Sequence, residues 1–159
     1  MSNSHYLRSY DYVNHGYEAV RDALRRDALA IFERATRAGH AESRGPELHA
    51  RVGALTLSVP IALQIVEIGE AESYGLPATR LVLEWQAARG ASVFPTMKAN
   101  LDVYALSPHE TQLDLCGTYD PPLGILGDAG DALVASRIAE VSVQRFVSEV
   151  AAYLRELLA

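Results

Sequence analysis

The sequence predicts an α+β protein in which an antiparallel sheet of about six strands curls around one long C-terminal helix. Segments in which apolar and polar residues alternate fill the middle of the 159-residue chain. A helical pattern of about 28 residues, Asp131–Leu158, ends the chain. One helical pattern precedes the strands, so helices and strands are segregated rather than alternating.

The N-terminal elements are a strand and a helix. Tyr6–Val13 is rich in aromatic residues, which favour strands. From Tyr17 to about Arg37, apolar residues recur at spacings of three and four, which predicts one amphipathic helix. Ala38–Pro46 contains glycine, serine and proline and is predicted to be a loop.

The middle of the chain predicts the sheet. Leu48–Gly69 is expected to form two strands broken near Ser58–Pro60, because proline cannot donate to a strand ladder. Glu70–Pro77 is expected to be a turn. Three segments then alternate with period two: Thr79–Ala87, Met97–Ala105 and Thr111–Tyr119. The short turn Leu106–Glu110 predicts that the last two of these strands pair antiparallel.

The alternation gives the sheet one dry face and one wet face. The dry face contains Leu83, Trp85, Met97, Leu101, Val103 and Tyr119, among others. The terminal helix would be roughly 42 Å long, and its broad apolar face includes Ile138. It is the only predicted element large enough to cover the dry face of the sheet.

Composition indicates one globular domain and excludes some functions. Hydrophobic residues make up 49% and charged residues 21% of the chain. The net charge of −6 argues against nucleic acid or an anionic membrane surface as partner. The single cysteine, Cys116, excludes an intrachain disulfide. The sequence shows no secretory signal and no apolar run of about 20 residues. We therefore expect no integral membrane association, and we expect a cytoplasmic location.

The order of elements resembles the START-related, polyketide-cyclase-like and pollen-allergen-like superfamily (SRPBCC), which has the helix-grip fold. The resemblance rests on the opening strand running into "VNHGYEAVRDAL", the alternating meander, and the glycine-rich loop before "DALVASRIAEVSVQRFVSEVAAYL". Two features depart from the family pattern. His15 and Gly16 stand where Ala-Pro is common, and the first helical region looks like one helix rather than two. The resemblance implies an apolar cavity between the sheet and the terminal helix.

The stretch "YDPPLGILGDAGDAL", Tyr119–Leu133, connects the last strand to that helix. Its glycines do not match a phosphate-binding motif, and Asp128 and Asp131 would repel a phosphate at the helix start. The apolar residues Leu123 and Leu126 suggest that Pro121–Gly130 forms a lid over an apolar cavity. A plain connector between the strand and the helix is the alternative.

The sequence contains no clear catalytic constellation. The five histidines, at positions 5, 15, 40, 49 and 109, lack the spacing of a helical metal site and are expected at the surface or in loops. No G-x-S-x-G motif occurs, and Cys116 is expected to be structural. Glu84, Asp102 and Asp114 fall on the wet face and are expected to be solvated. We expect no catalytic residue, cofactor or metal.

The predicted function is therefore noncatalytic binding of a hydrophobic small molecule or lipid between the sheet and the C-terminal helix. The candidate ligand-binding residues are Leu83, Trp85, Phe94, Met97, Leu101, Val103, Tyr119, Leu123, Leu126 and Ile138. Core packing is the alternative role for each of them, because pocket walls and cores share composition. A cyclase, aromatase or dehydratase using the same cavity is the enzymatic alternative. A third possible function is that of a module that binds a protein partner through its apolar loop. A homodimer is a possible oligomeric state.

Overall fold

The computed structural model describes residues 4–37, 46–87, 96–120 and 129–159. Its elements follow the predicted order of strand, helix, strands and helix. They are β1 (His5–Val13), α1 (Tyr17–Thr36), β2 (Glu47–Val52), β3 (Leu55–Ser73), β4 (Leu76–Ala87), β5 (Thr96–Ser107), β6 (Glu110–Asp120) and α2 (Ala129–Leu157).

The six strands form one sheet in the order β1-β6-β5-β4-β3-β2, and every neighbouring pair is antiparallel. The chain visits one edge of the sheet with β1, crosses through α1 to the opposite edge, and returns strand by strand to β6 beside β1. This topology confirms the predicted α+β class and the six-stranded antiparallel sheet.

The C-terminal helix α2 packs against both edge strands, β1 and β2, and against α1. A sheet whose two edges contact the same helix must curl around that helix. The space inside the curl is filled by a single apolar core, which includes Leu24, Phe32, Leu81, Leu101, Phe146 and Val150. The predicted cover of the dry face by the terminal helix is confirmed, and the helix begins two residues before its predicted start.

The strand boundaries between Glu47 and Ala87 differ from the prediction. The first break lies at Gly53–Ala54, where Gly53 has a φ of 62° that glycine adopts readily, rather than near Ser58–Pro60. β3 runs through Pro60, the position at which its partner changes from β2 to β4. A proline without an N–H group is tolerated there because the ladder changes partner at that point.

The predicted turn over Glu70–Pro77 shrinks to two residues. Tyr74 and Gly75 both have positive φ, 51° and 74°, as a type I′ hairpin turn requires. Glu70 and Glu72 belong to β3. The sequence pattern missed this because the exposed end of a strand can be as polar as a loop.

Helix α1 is interrupted at Asp27, whose φ of −165° and ψ of 74° are not helical. The Asp27 carboxylate accepts a hydrogen bond from the backbone N–H of Ala30 at 3.1 Å, as an N-cap does at the start of a new helix. The prediction of one uninterrupted helix was therefore wrong. The two-part helical region removes one of the two departures from the family pattern.

The faces of β4, β5 and β6 alternate as predicted. The structure also shows which side chains of β1 face the core. Leu7, Ser9 and Val13 are buried, whereas Tyr10 and Tyr12 are exposed on the opposite face. The even-numbered side chains of β1 therefore lie on the outer face of the sheet and add no polarity to its inner face.

The two faces of the sheet predict opposite effects of substitution. Leu83→Asp and Leu101→Asp should each destabilise the protein by more than about 3 kcal/mol, because both side chains are at most 1% exposed and a buried unpaired carboxylate is costly. Glu84→Ala and Asn100→Ala, on the outer face, should change stability by less than about 0.5 kcal/mol. Urea denaturation of the four variants measures this. Equal midpoints for the two pairs would show that the faces are wrongly assigned.

Candidate ligand-binding site

Four inward-facing side chains lie side by side across four neighbouring strands. Leu63 on β3 is in register with Trp85 on β4, Trp85 with Met97 on β5, and Met97 with Tyr119 on β6. Neighbouring strands are about 4.8 Å apart, so these side chains form a continuous surface. We call Leu63, Trp85, Met97 and Tyr119 the inner row.

The inner row is part of the core and also joins the sheet to both helices. Trp85, Met97 and Tyr119 are each at most 4% exposed. The Trp85 ring lies 5.6 Å from that of Phe146 on α2, which in turn lies 5.4 Å from Phe32 on α1. Such tilted aromatic contacts favour a fixed geometry, so Trp85 can serve both as core and as a wall of a binding site.

One end of the inner row is polar. The Tyr119 hydroxyl lies 3.3 Å from the Ser136 hydroxyl on α2, and either can donate the hydrogen bond. The ring of His5, which is in register with Tyr119 on β1, stacks on the Tyr119 ring at 5.4 Å. Tyr119 is one of the residues predicted from the sequence to bind the ligand, whereas no local pattern placed Ser136 or His5 beside it.

The next row along the strands contains two very small residues. Ala99 and Gly117 are in register with each other, between Leu83 on β4 and Leu7 on β1. A Cβ atom at Gly117 would lie 2.7 Å from the Lys98 carbonyl oxygen, so any other residue would clash with backbone. The close approach of β5 and β6 at this position therefore requires glycine.

A cleft of about 270 Å³ lies along Leu63, Trp85 and Met97. Its other lining residues lie at outer-face positions of the strands: Ala62, Gln64, Glu84, Gln86, Thr96 and Lys98. Trp85 and Met97 are at most 2% exposed, so the cleft opens on the outer face of the sheet. This volume is near the lower limit of small-molecule sites, which typically hold roughly 300–1,000 Å³. Because it opens on the outer face, the cleft lies on the opposite side of the sheet from α2.

Seven of the ten candidate binding residues fall within the described residues, and all seven are buried in one core: Leu83, Trp85, Met97, Leu101, Val103, Tyr119 and Ile138. Phe94, Leu123 and Leu126 lie outside the described residues, as does most of Pro121–Gly130. Met97 and Val103 are six residues apart on one strand, or roughly 20 Å. Only an elongated ligand could contact both.

The outer face of the sheet corrects the prediction that Asp102 and Asp114 are solvated, because they are only 9% and 3% exposed. Arg80 donates two hydrogen bonds to Asp102, at 2.7 and 2.8 Å. Arg8 likewise donates two to Asp114, both at 2.9 Å. Asp102 and Asp114 are directly opposite each other on neighbouring strands. Like charges so placed destabilise a sheet, and the two bidentate arginines offset that repulsion.

The pKa values of the two paired arginines and of the adjacent Tyr104 are raised. The hydrogen bonds to Asp114 raise the pKa of Arg8, and those to Asp102 raise the pKa of Arg80. Burial, together with the charge of Asp114 and a hydrogen bond to it of 3.1 Å, raises the pKa of Tyr104 to about 12. Tyr104 is therefore a neutral donor to Asp114 across the physiological range.

A second polar cluster, which the sequence did not reveal, lies where β2 meets both helices. His49 was expected at the surface or in a loop, but its side chain is only 13% exposed. Its Nε2 donates to the Thr36 carbonyl oxygen at 2.7 Å, and its Nδ1 lies 3.0 Å from the Ser58 hydroxyl. Oxygens of Glu47 and Glu149 lie 3.6 and 4.0 Å from Nε2. Only the pairing of β2 with β3 and the packing of α2 bring these groups together.

Burial is the main reason that the pKa of the Glu149 carboxyl is raised, and the nearby carboxylate of Glu47 adds to the effect. A hydrogen bond from Arg145 at 2.9 Å acts in the opposite direction without cancelling it. Within the described ranges, no group of three or more histidine, cysteine, aspartate or glutamate residues could hold a metal ion. Neither α1 nor the described part of any other helix is both long and apolar enough to span a membrane.

The raised pKa of Tyr104 predicts a pH-dependent loss of stability at alkaline pH. A tyrosine with a raised pKa in the folded state stabilises that state fully below its unfolded pKa of about 10. This contribution should be lost as the pH rises from there to the folded pKa of about 12. Chemical denaturation of the parent and Tyr104→Phe at several pH values measures it. The difference in stability between them should shrink across this interval, and a constant difference would contradict the assignment.

No protein-family model matches the sequence, and no curated protein matches it significantly. Among solved structures, the chain is similar to the Thermus thermophilus protein TTHA0849, with 17% identity and a TM-score of 0.54 over 98% of this chain and 100% of that one. The Zhui aromatase/cyclase from Streptomyces sp. R1128 matches at 15% identity and a TM-score of 0.47, over 99% and 97% of the two chains. A START superfamily protein from Mycobacterium smegmatis matches at 11% and 0.46, over 96% and 99%. The described residues have the predicted helix-grip architecture, and the likeness to TTHA0849 concerns the fold alone.

Proposed function

We propose that this protein binds a hydrophobic small molecule or lipid between the inner row of the sheet and helix α2. The observation that supports this most strongly is the inner row itself. It places three large apolar side chains and one tyrosine in a continuous surface that faces α2. Apolar walls with a few oriented polar groups are the usual composition of a small-molecule site.

The polar end of the row gives the ligand an orientation. Tyr119 and Ser136 are hydroxyl groups that can each donate and accept a hydrogen bond. A ligand with an apolar body and one oxygen function would place that oxygen beside them. Its apolar body would lie along Met97, Trp85 and Leu63.

Ala99 and Gly117 lie one row further along the strands from Met97 and Tyr119. Ala99 is buried on the inner face, so a larger side chain at this position would project between the sheet and α2.

Binding rather than catalysis is the better-supported use of the site. In the described part of the inner row and its continuation on β1, the ionisable side chains are Tyr119 and His5, and they are stacked rather than hydrogen-bonded to each other. General acid–base catalysis needs a proton donor or acceptor within hydrogen-bonding reach of the reacting group. A cyclase-like or dehydratase-like reaction remains the enzymatic alternative predicted from the family resemblance.

A titration with the fluorescent probe anilinonaphthalene sulfonate tests the proposal. The folded parent should bind the probe saturably at one site, and Ala99→Leu should weaken binding at least about tenfold, or 1.4 kcal/mol, because the larger side chain would project from the inner face into the proposed site. Asn100→Leu adds similar apolar volume to the outer face and is the matched control, so it should leave probe binding unchanged. Absence of saturable binding by the folded parent would contradict the proposal.

Two further variants in the same titration test the roles of Trp85 and of the segment Pro121–Gly130. Trp85→Ala should lower both probe affinity and the melting temperature, because Trp85 packs against Phe146 and is also a member of the inner row. The double substitution Leu123→Ser and Leu126→Ser should weaken binding alone if Pro121–Gly130 is a lid, which stays a prediction from the sequence. If this variant unfolds instead, the segment is core and the connector interpretation is right.

A further inference from the structure

We infer that Ser58 is an activated nucleophile and that the cluster around His49 gives the protein a hydrolytic activity towards small activated esters. This inference is independent of the proposed binding function, because Ser58 and His49 lie on β3 and β2, outside the inner row. It rests on the geometry of one serine, one histidine and two carboxylates.

The hydrogen bonds of His49 fix which of its nitrogens can act as a base. A backbone carbonyl only accepts hydrogen bonds, so the 2.7 Å contact with the Thr36 carbonyl oxygen places a proton on Nε2. In the neutral imidazole Nδ1 then carries no proton. The Ser58 hydroxyl, 3.0 Å away, donates to that free nitrogen. This is the relation between nucleophile, base and orienting group that activates a serine.

Two carboxyl groups lie near the imidazole of His49. Glu47 Oε2 and Glu149 Oε2 lie 3.6 and 4.0 Å from Nε2. Glu149 Oε2 is buried and has no hydrogen-bond partner among the described residues. A positive charge that develops on His49 when it takes the Ser58 proton would thus be stabilised by two acidic neighbours.

Ser58 is the exposed member of the cluster, whereas Thr36 and Glu47 are buried. Its hydroxyl also lies 3.3 Å from Glu47 Oε2, a second acceptor for its proton. An ester in solvent can therefore approach the serine oxygen, while the base behind it stays fixed by the fold. The β2–β3 register holds the pair, because His49 and Ser58 are directly opposite each other.

The reaction balances without any further reactant than water. Ser58 Oγ attacks the ester carbonyl carbon as its proton passes to His49 Nδ1. The bond from that carbon to the leaving oxygen then breaks, and His49 returns the proton to the leaving alcohol. Water attacks the acyl-serine with His49 again taking the proton, which releases the carboxylic acid and regenerates the Ser58 hydroxyl.

Two probes test the inference on the intact protein: p-nitrophenyl acetate, followed by release of p-nitrophenol, and a fluorophosphonate, which bonds covalently to activated serines. The fluorophosphonate should modify Ser58 at least about 100-fold faster than Ser4 in the same molecule, since a positioned base contributes roughly that much. Ser4 is the internal control because its exposed hydroxyl donates to the Asp120 carboxylate at 2.7 Å without an imidazole. Peptide mapping measures this ratio in the parent, so no variant needs to fold.

Variants then assign the roles. Ser58→Ala should abolish both labelling at that position and the ester hydrolysis, and His49→Gln should lower both rates about 100-fold or more. Ser4→Ala should leave both rates unchanged. Equal labelling of Ser58 and Ser4 in the parent, or a folded His49→Gln variant that reacts at the parent rate, would overturn the inference.

Discussion

The packing of α2 against both edges of the sheet determines how the strands curve and which side chains face inward. At the β1 edge, Arg155 donates to the Tyr12 carbonyl oxygen at 2.6 Å and pairs with Asp11 at 3.0 Å. At the opposite edge, Glu149 approaches His49 on β2. Because one helix contacts both edges, the strands between them must curve. That curvature turns the inner row towards α2. At position 117 a Cβ atom would clash with the backbone of β5, so glycine is required there.

The two faces of the curled sheet are stabilised by different interactions. The inner face is almost wholly apolar and is stabilised by removal of its surface from water. The outer face holds two aspartates opposite each other, each neutralised by an arginine from a neighbouring strand. Removing one partner of such a pair leaves a charge without its counterion in a partly buried place. Because both faces depend on the same residue pairing, a slip of one residue would lose the apolar core and the ion pairs together.

Most of the fold could be predicted from the sequence because period-two and helical patterns are local. Alternation placed Leu83, Trp85, Met97 and Tyr119 on the inner face, and the long apolar pattern located α2. Local patterns could not show the Asp27 cap within α1, since an aspartate on an exposed helix face looks the same as a capping one. They also could not show the burial of Asp114 or His49, because that depends on partners from distant strands. Arg8 and Asp114, for example, are 106 residues apart in the chain.

Removal of α2 would show whether the sheet needs this helix to fold. A chain that ends at Asp120 keeps all six strands and α1 but lacks the helix that contacts both edges. A chain lacking only Leu158 and Ala159, which follow α2, is the control. Urea denaturation monitored by far-ultraviolet circular dichroism should show a cooperative transition for the control and none for the shortened chain. If the chain ending at Asp120 is soluble and unfolds cooperatively, the sheet holds its shape without α2, and the packing of α2 is not what makes the sheet curl.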